Sequence, residues 1–499
     1  MSLLFKNARV LTFDAADTEI DRTDVLVEGA IITRIGTDIP APEGARIIES
    51  EGHLLMPGLV NGHLHSPGNL MKGSLDDSLL ELFMLYEVPP LADLTDSPRL
   101  HYLRTLLGAV EMLKLGVTAV HDDAFFIPVP TPETIDAVMG AYRDAGMRAT
   151  VTLDQPNVPE DEKYPFLAEI LPPDLLAELR AVRRMSDSEL LDHYRDFVAR
   201  WHGAEGGRLR CAASVSAPQR VTPTYLVALT EFARAHDLAF DVHVLETRLQ
   251  RVLGDVKYGK SLIRYLHDLG CLDEGKQVIH SIWVDDEDIA LMAASGCVVA
   301  HNPLCNLKLG SGVMPFRRLR DAGIPICLGS DEASGDDTAN MWLVAKQAGL
   351  VHKLTDTDER RWPKAPEILD CLIRGGARSL RQEDRIGRVA PGYEADLILL
   401  DLDTLAFTPL NDLRRQLVFC ETGTSVVMTV VQGRVVAEHG RVLTVDERAL
   451  RAEIRSIMPE YNAALARARH HADRLEPYYR AMYERTLTHP VPMQRRIPS

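Results

Sequence analysis

The sequence predicts an α/β protein: a (β/α)8 TIM barrel, a small β-sandwich built from both chain ends, and a C-terminal helical extension. Three observations predict it. Between Leu59 and about Leu380, short apolar runs alternate eight times with longer helical patterns. The runs are apolar on both faces, as strands of a parallel sheet covered by helices must be. Strand-like segments flank this region on both sides, and 499 residues suffice for a barrel with attachments.

The elements follow in order. Residues 1–57 read as short strands joined by turns: "LLFKNARVLTF", "TDVLVEGAIITRIG" and "ARIIESEGHLL". Residues 58–385 hold the barrel strands "GLVNGHLH", "GVTAVHDDAF", "RATVTLD", "LRCAASVSA", "AFDVHVLET", "QVIHSIW", "GCVVAHNP" and "IPICLGSDEA". Helical segments such as "LRTLLGAVEMLKLG" and "PETIDAVMGAYRDAG" separate them. Residues 386–445 return to strands, in "GYEADLILLDLD" and "SVVMTVVQGRVVAEHGRVL", and are expected to join residues 1–57 in one β-sandwich domain. Residues 446–499 are helical, with a break expected near Pro459 because proline lacks the N–H that a helix interior needs.

A net charge of -17 argues against a nucleic acid or an anionic membrane as partner, since either would be repelled. No apolar run is long enough to span a bilayer, and the N-terminus alternates as a strand does rather than reading as a signal peptide. Cys211, Cys271, Cys297, Cys305, Cys327, Cys371 and Cys420 show no CxxC spacing, which suits reduced thiols and a cytoplasmic protein.

Barrel chemistry sits at the C-terminal ends of the strands. There the sequence places His63 and His65, then His243 with Glu246, then His280, then Asp331. His63 and His65, two apart on a strand, leave the same face. Imidazoles with a carboxylate suit one divalent ion with an open position for water, and such an ion brings the pKa of its water towards neutrality. Glu246 is placed to carry a proton to a leaving group, and His280 to assist the water. Each residue taken alone reads more simply as a satisfied core histidine, a cap or a surface carboxylate. All of them at strand ends, in order, make a metallohydrolase the better reading. His121 in "HDD" and His301 in "AHNPLCN" also fall at strand ends, as candidates for orienting loops or substrate.

The motifs "PGLVNGHLH", "HVLETRLQRVLGDVKYGKSLIRYLHDLGCL", "VIHSIWVDDEDIALMAASGCVVAHNPLCNLKLGSG", "GIPICLGSDEASGDDTANMW" and "RIGRVAPGYEADLILLDLD" resemble the amidohydrolase superfamily. The likeness runs from Leu4 to about Leu443 and points to the aminohydrolase branch, which includes methylthioadenosine/S-adenosylhomocysteine deaminase, guanine deaminase and the s-triazine hydrolases. It implies that His63, His65, His243 and Asp331 hold one divalent ion, zinc first and iron as the alternative. Glu246 would be the proton shuttle, His280 the histidine at the attacking water, and Asp331 also the base. No lysine stands in "GRLRCAASVSAPQR", where binuclear members carry a carbamylated one. The implied reaction is hydrolytic deamination of an amino-substituted N-heterocycle. Amidine, amide, N-alkylamine or C–Cl hydrolysis and nucleoside deamination stand as alternatives. A small-molecule substrate and a homo-oligomer, dimer or tetramer, are implied with it.

Departures bear on the substrate. Ala92 takes the place of the carboxylate that nucleoside deaminases use for the ribose, with Glu87 offset from it, and Lys72 replaces the usual arginine. Glu87, His121, His301 and Asn306 are the candidate substrate contacts. Asp336 and Asp337, in the acidic loop "SDEASGDD", are expected to cap the following helix.

Overall fold

The computed structural model describes residues 2–75 and 78–496. The N-terminal segment folds as strands β1 (Ser2–Leu11), β2 (Glu19–Glu28), β3 (Ile31–Gly36), β4 (Arg46–Glu49) and β5 (His53–Pro57). "ARIIESEGHLL" thus gives two strands rather than one, parted by a turn in which Gly52 has φ 76°.

The central region supplies β6 (Leu59–His65), β7 (Val117–Asp122), β8 (Arg148–Val151), β9 (Leu209–Cys211) and β10 (Ala213–Ser214). It continues with β11 (Phe240–Val244), β12 (Lys276–His280), β13 (Val298–His301), β14 (Ile326–Leu328) and β15 (Asp331–Glu332). These form two five-stranded parallel sheets, β15-β6-β7-β8-β9 and β10-β11-β12-β13-β14, with helices between successive strands except from β9 to β10 and from β14 to β15, a TIM-barrel-like α/β arrangement. The eight expected strands appear as ten pieces because "LRCAASVSA" and "IPICLGSDEA" are each interrupted. The second interruption, at Gly329 and Ser330, lets a carboxylate turn inward at Asp331.

Four late strands, β16 (Leu397–Asp401), β17 (Val426–Val431), β18 (Arg434–Glu438) and β19 (Arg441–Val442), join β1–β5 in one nine-stranded sheet. The seam is the antiparallel pair β5–β16, in which Leu55 faces Leu399. This sheet keeps a small apolar core of its own, including Phe5, Val25, Leu397 and Val430, apart from the large core that fills the central region.

A single helix, Glu447–Thr488, runs through Pro459, where the sequence predicts a break, and on through Pro477. Both prolines are exposed, so the carbonyls they deprive of a partner face water. The opposite face holds the helix in place: Leu475, Tyr479 and Met482 pack on Leu82, Leu85 and Leu167. Residues 497–499 of the expected extension lie outside the described residues. Among the described residues no helix is long and apolar enough to cross a membrane. The seven cysteines are free, and all but Cys420 are buried.

The two substructures are joined by a buried charge network. Arg148, the first residue of β8, is fully buried. Its Nε donates to Asp396 Oδ2 at 2.6 Å, its Nη1 to Gln382 Oε1 at 3.0 Å, and its Nη2 to Glu394. Removing one partner of a buried pair strands the other charge. Arg148→Met is therefore expected to cost about 3–5 kcal/mol in urea unfolding. A loss below about 1 kcal/mol, the scale of an exposed ion pair, would show that the network is not a structural tie.

Two buried histidines set an acid limit. Burial, and then Arg104, which donates to its Nδ1 at 2.9 Å, push His101 down to about 2. Burial and then Arg317 push His352 down to about 3. In an unfolded chain each titrates near about 6.5, so below that pH the unfolded state binds protons that the native state does not. Their contribution to stability is complete above about pH 6.5 and falls as the pH drops towards the folded values. The thermal midpoint should decline from pH 6.5 to 5, less steeply in His101→Gln; an unchanged slope in that variant removes His101 from the explanation.

Candidate metal centre and active site

The strand ends are backbone-strained on one side of the two parallel sheets. Ser216 (φ 62°), Leu245 (54°), His280 (70°), Ser281 (51°) and Asp331 (61°) all take left-handed conformations. Such residues cost roughly 1–3 kcal/mol each and gather where function requires them. The same end carries a cavity of about 300 Å³, with His65, His243, Glu246, His280 and Asp331 on its wall.

The histidines are set by carbonyls. His65 Nδ1 lies 2.6 Å from the Asp123 carbonyl oxygen, and His243 Nδ1 lies 2.8 Å from that of Ser216. Each Nδ1 therefore donates its N–H, which leaves a lone pair on Nε2. The Nε2 atoms of His65 and His243 are 3.2 Å apart, and His243 Nε2 is 3.2 Å from His63 Nε2. Asp331 Oδ1 stands 3.7 Å from Nε2 of both His63 and His65. Asn302 Nδ2 donates to Asp331 Oδ2 at 3.1 Å, and the Glu332 N–H donates to Oδ1 at 2.9 Å.

Three imidazole lone pairs so close repel one another unless a cation lies among them. A tetrahedron with metal–nitrogen bonds of about 2.05 Å has edges of roughly 3.3 Å, so the three imidazoles fit three of its corners, with Asp331 Oδ1 beside them, 3.7 Å from two. Burial, and then the neighbouring imidazoles, keep His63 and His243 well below the usual histidine range, in the neutral form that a ligand needs. For His65 burial also acts downward, but Asp123 and Asp331 outweigh it and raise the value.

Beside this set lie two proton-handling groups. Glu246 accepts from Ser311 Oγ at 3.2 Å, and its N–H donates to Gln250 Oε1 at 2.9 Å. Burial, and then the charges of Asp331 and Glu81, push its carboxyl well above the carboxylate range. His280 Nδ1 is held by Asn306 Oδ1 at 2.9 Å. That leaves Nε2 facing Glu246 Oε2 at 3.5 Å and Asp331 Oδ2 at 3.6 Å.

The four candidate substrate contacts are distributed differently. Glu87 is on the cavity wall, as are Ala92, Asp154, Arg220 and Glu332. His121 lies off the wall, its Nε2 3.3 Å from Asp241 Oδ1, beneath His63. His301 is also off it, 3.0 Å from His352 Nε2 between packed elements. Asn306 serves His280 rather than the cavity. Asp336 and Asp337 do not cap the next helix. Asn340 does, accepting from the N–H groups of Trp342 and Leu343, because it sits directly before the first turn. Asp337 instead accepts from the Gly73 N–H at 2.7 Å and pairs with Lys308. Sequence reasoning passed over Ser311, Asp154, Arg220 and Glu332. Only Glu332, in the unusually acidic "SDEA", left a trace there.

Known proteins resemble this arrangement. The sequence model of the amidohydrolase family matches residues 54–436. A 5-methylthioadenosine/S-adenosylhomocysteine deaminase of Syntrophomonas wolfei is 30% identical over 461 residues, covering 91% of this chain and 98% of that protein. A 5'-deoxyadenosine deaminase of Methanosarcina mazei is 29% identical over 460 residues, covering 92% and 98%. Among solved structures, atrazine chlorohydrolase from Arthrobacter aurescens, complexed with zinc, superposes with a TM-score of 0.80 at 24% identity, covering 92% of this chain and 100% of that one. An adenosine deaminase from Xanthomonas campestris with bound zinc gives 0.79 at 24% identity, covering 95% and 98%.

Proposed function

Because the chain belongs to the amidohydrolase family, we propose that it is a metal-dependent hydrolase releasing ammonia from an amino-substituted N-heterocycle. The observation that carries this is the convergence of the His63, His65 and His243 Nε2 lone pairs beside Asp331, with protonatable Glu246 and His280 facing the same point. His63, His65, His243 and Asp331 would hold one divalent ion, zinc before iron. Such an ion, when bound, supplies Lewis acidity and makes water nucleophilic near neutral pH. The remaining chemistry falls to side chains. Asp331 Oδ2 receives the proton of the attacking water, with His280 Nε2 steadying that water. Glu246, whose burial favours its acid form, delivers a proton to the ring nitrogen as the C=N carbon is attacked. Ammonia leaves as the proton taken up by Asp331 reaches it.

A nucleoside substrate is the second reading. It is favoured by the relatives, which are named as deaminases of adenosine derivatives, and by Glu87 standing on the cavity wall. Ammonia release by zinc-loaded protein from free purines, pyrimidines, pterins and triazines, set against adenosine and methylthioadenosine, decides between the two. Chloride or alkylamine release without ammonia would overturn both.

The reading extends to the architecture. The two parallel sheets would close into one barrel over 58–385, supported by the β15–β6 pairing of Asp331 with Leu64. Residues 1–57 with 386–445 would form a β-sandwich domain and residues 446–499 a helical extension. A cytoplasmic homo-oligomer, dimer or tetramer, completes the proposal, and light scattering of the metal-loaded protein tests its size.

A further inference from the structure

The cavity wall carries hydrogen-bond donors that the proposed reaction does not use. Arg220 ends the short turn Pro218–Arg220 after β10. Its carbonyl oxygen accepts from the N–H groups of Asn157 and Val158, at 3.1 and 3.3 Å, which fixes its backbone. Its Nη1 donates to Ser216 Oγ at 3.0 Å, and its Nη2 lies 2.7 Å from Met84 Sδ. Ser216 and Met84 stand on the cavity wall with Arg220, so the guanidinium end is at the cavity and not behind it. The Tyr164 hydroxyl lies beside it. Arg220 makes no ion pair among the described residues. Asp154 and Glu160 act on it only from a distance, and Glu160 is already paired with Lys163 at 2.6 Å and accepts from Tyr479 at 2.9 Å. Gln250, in the helix Arg248–Leu253, supplies a second donor. Its Oε1 takes the Glu246 N–H, which leaves its Nε2 amide on the same wall without a partner among the described residues.

A thioether is a weak acceptor, and a guanidinium removed from water without an ion pair is costly. A carbonyl oxygen, with two lone pairs, satisfies such donors, whereas an amino group would set N–H against N–H. Both donors belong to the surroundings of Glu246: Gln250 is fastened to its backbone, and the charge of Arg220 acts on its carboxyl. A substituent beside the ring nitrogen that Glu246 serves is therefore the one they would meet. We propose that Arg220 and Gln250 form a recognition subsite for a ring carbonyl oxygen of the substrate, on the carbon next to that nitrogen. The enzyme then selects amino-oxo N-heterocycles over amino heterocycles that lack the oxygen. This rests on the deaminase reading of the same cavity, and deepens it.

The test separates binding from turnover. Zinc-loaded Glu246→Gln protein is titrated calorimetrically with cytosine against 4-aminopyrimidine, and with isoguanine against adenine. The oxo member of each pair should bind roughly tenfold or more tightly, as hydrogen bonds from a charged donor imply. Arg220→Met keeps bulk beside Met84 and removes the donors. Gln250→Glu keeps an acceptor for the Glu246 N–H and removes the amide donors. Each, introduced into that protein with zinc content and thermal midpoint verified, should bring the ratio close to one, and Arg220→Lys should restore part of it. Equal or undetectable binding within both pairs, or a ratio unchanged in zinc-replete Arg220→Met and Gln250→Glu, overturns the subsite. S-adenosylhomocysteine against methylthioadenosine is a third pair, differing by a carboxylate-bearing tail. A preference that Arg220→Met abolishes in this pair alone assigns the guanidinium to an exocyclic carboxylate and overturns the ring-carbonyl subsite. The native enzyme is assayed for ammonia in parallel. Ammonia release without any oxo preference defeats the subsite and leaves the deaminase reading standing. An oxo preference without ammonia release does the reverse.

Discussion

Glu246→Gln should lower turnover by roughly 10²–10⁴-fold, the range a positioned general acid contributes, while zinc content stays at the wild-type level. The glutamine keeps the shape of the side chain and its contact with Ser311 Oγ, 3.2 Å from Oε1 in the native protein. It loses the ability to pass on a proton. Glu246 is 2% exposed, and burial first, then Asp331 and Glu81, push its carboxyl well above the usual carboxylate range. It takes no part in the proposed donor set, so metal analysis should not register the change. The decisive measurement pairs kcat with metal content by mass spectrometry. Full activity in a zinc-replete variant would remove Glu246 from the proton path and leave Asp331 and His280, the latter 3.5 Å away, as the remaining proton-handling groups.

His65→Ala should leave the protein with sub-stoichiometric metal and no measurable turnover. The substitution deletes an Nε2 that stands 3.2 Å from His243 and 3.7 Å from Asp331, removing one of the three clustered imidazoles of the proposed metal site. It also leaves the Asp123 carbonyl oxygen without the Nδ1–H that approaches it at 2.6 Å. Stability offers a readout apart from activity, since a ligand that binds only the native state adds about 2.7 kcal/mol at a hundred times its Kd. Chelation should therefore lower the thermal midpoint of the wild type and leave that of His65→Ala almost unmoved. A variant that retains a full equivalent of zinc would place His65 outside the coordinating set.

Much of this arrangement was legible in the sequence, because its signals are local. The apolar runs of β6, β11 and β12 end at His65, just past His243 and at His280, so strand ends could be read directly. The β-pattern at both chain ends anticipated the shared sheet. What escaped depends on distant contacts. The helix through Pro459 persists because Leu475, Tyr479 and Met482 hold its other face, information that lies in the segment around Leu82 and Leu167. Asn306 looked like a substrate contact until His280 was seen to turn towards it. Asp337 looked like a cap by its position before a helix, while Gly73 and Lys308 claim it from far along the chain. His121 and His301 fall at strand ends as the proposed ligands do, and one-dimensional spacing does not say which side of a sheet a ring enters.

The seam between β5 and β16 has a consequence for how the protein is made. Leu55 emerges early from the ribosome, and its partner Leu399 only after the whole central region has been synthesised. Until then one flank of β5 is an unsatisfied strand edge, a template for wrong pairing. Contacts this far apart in sequence are slow to form, and intermediates that expose such edges are prone to aggregate. A chain terminated before Leu397 should accordingly accumulate as inclusion bodies even though every proposed metal ligand precedes the stop. Cooler, slower expression should help the full-length chain by giving the late strands time to arrive.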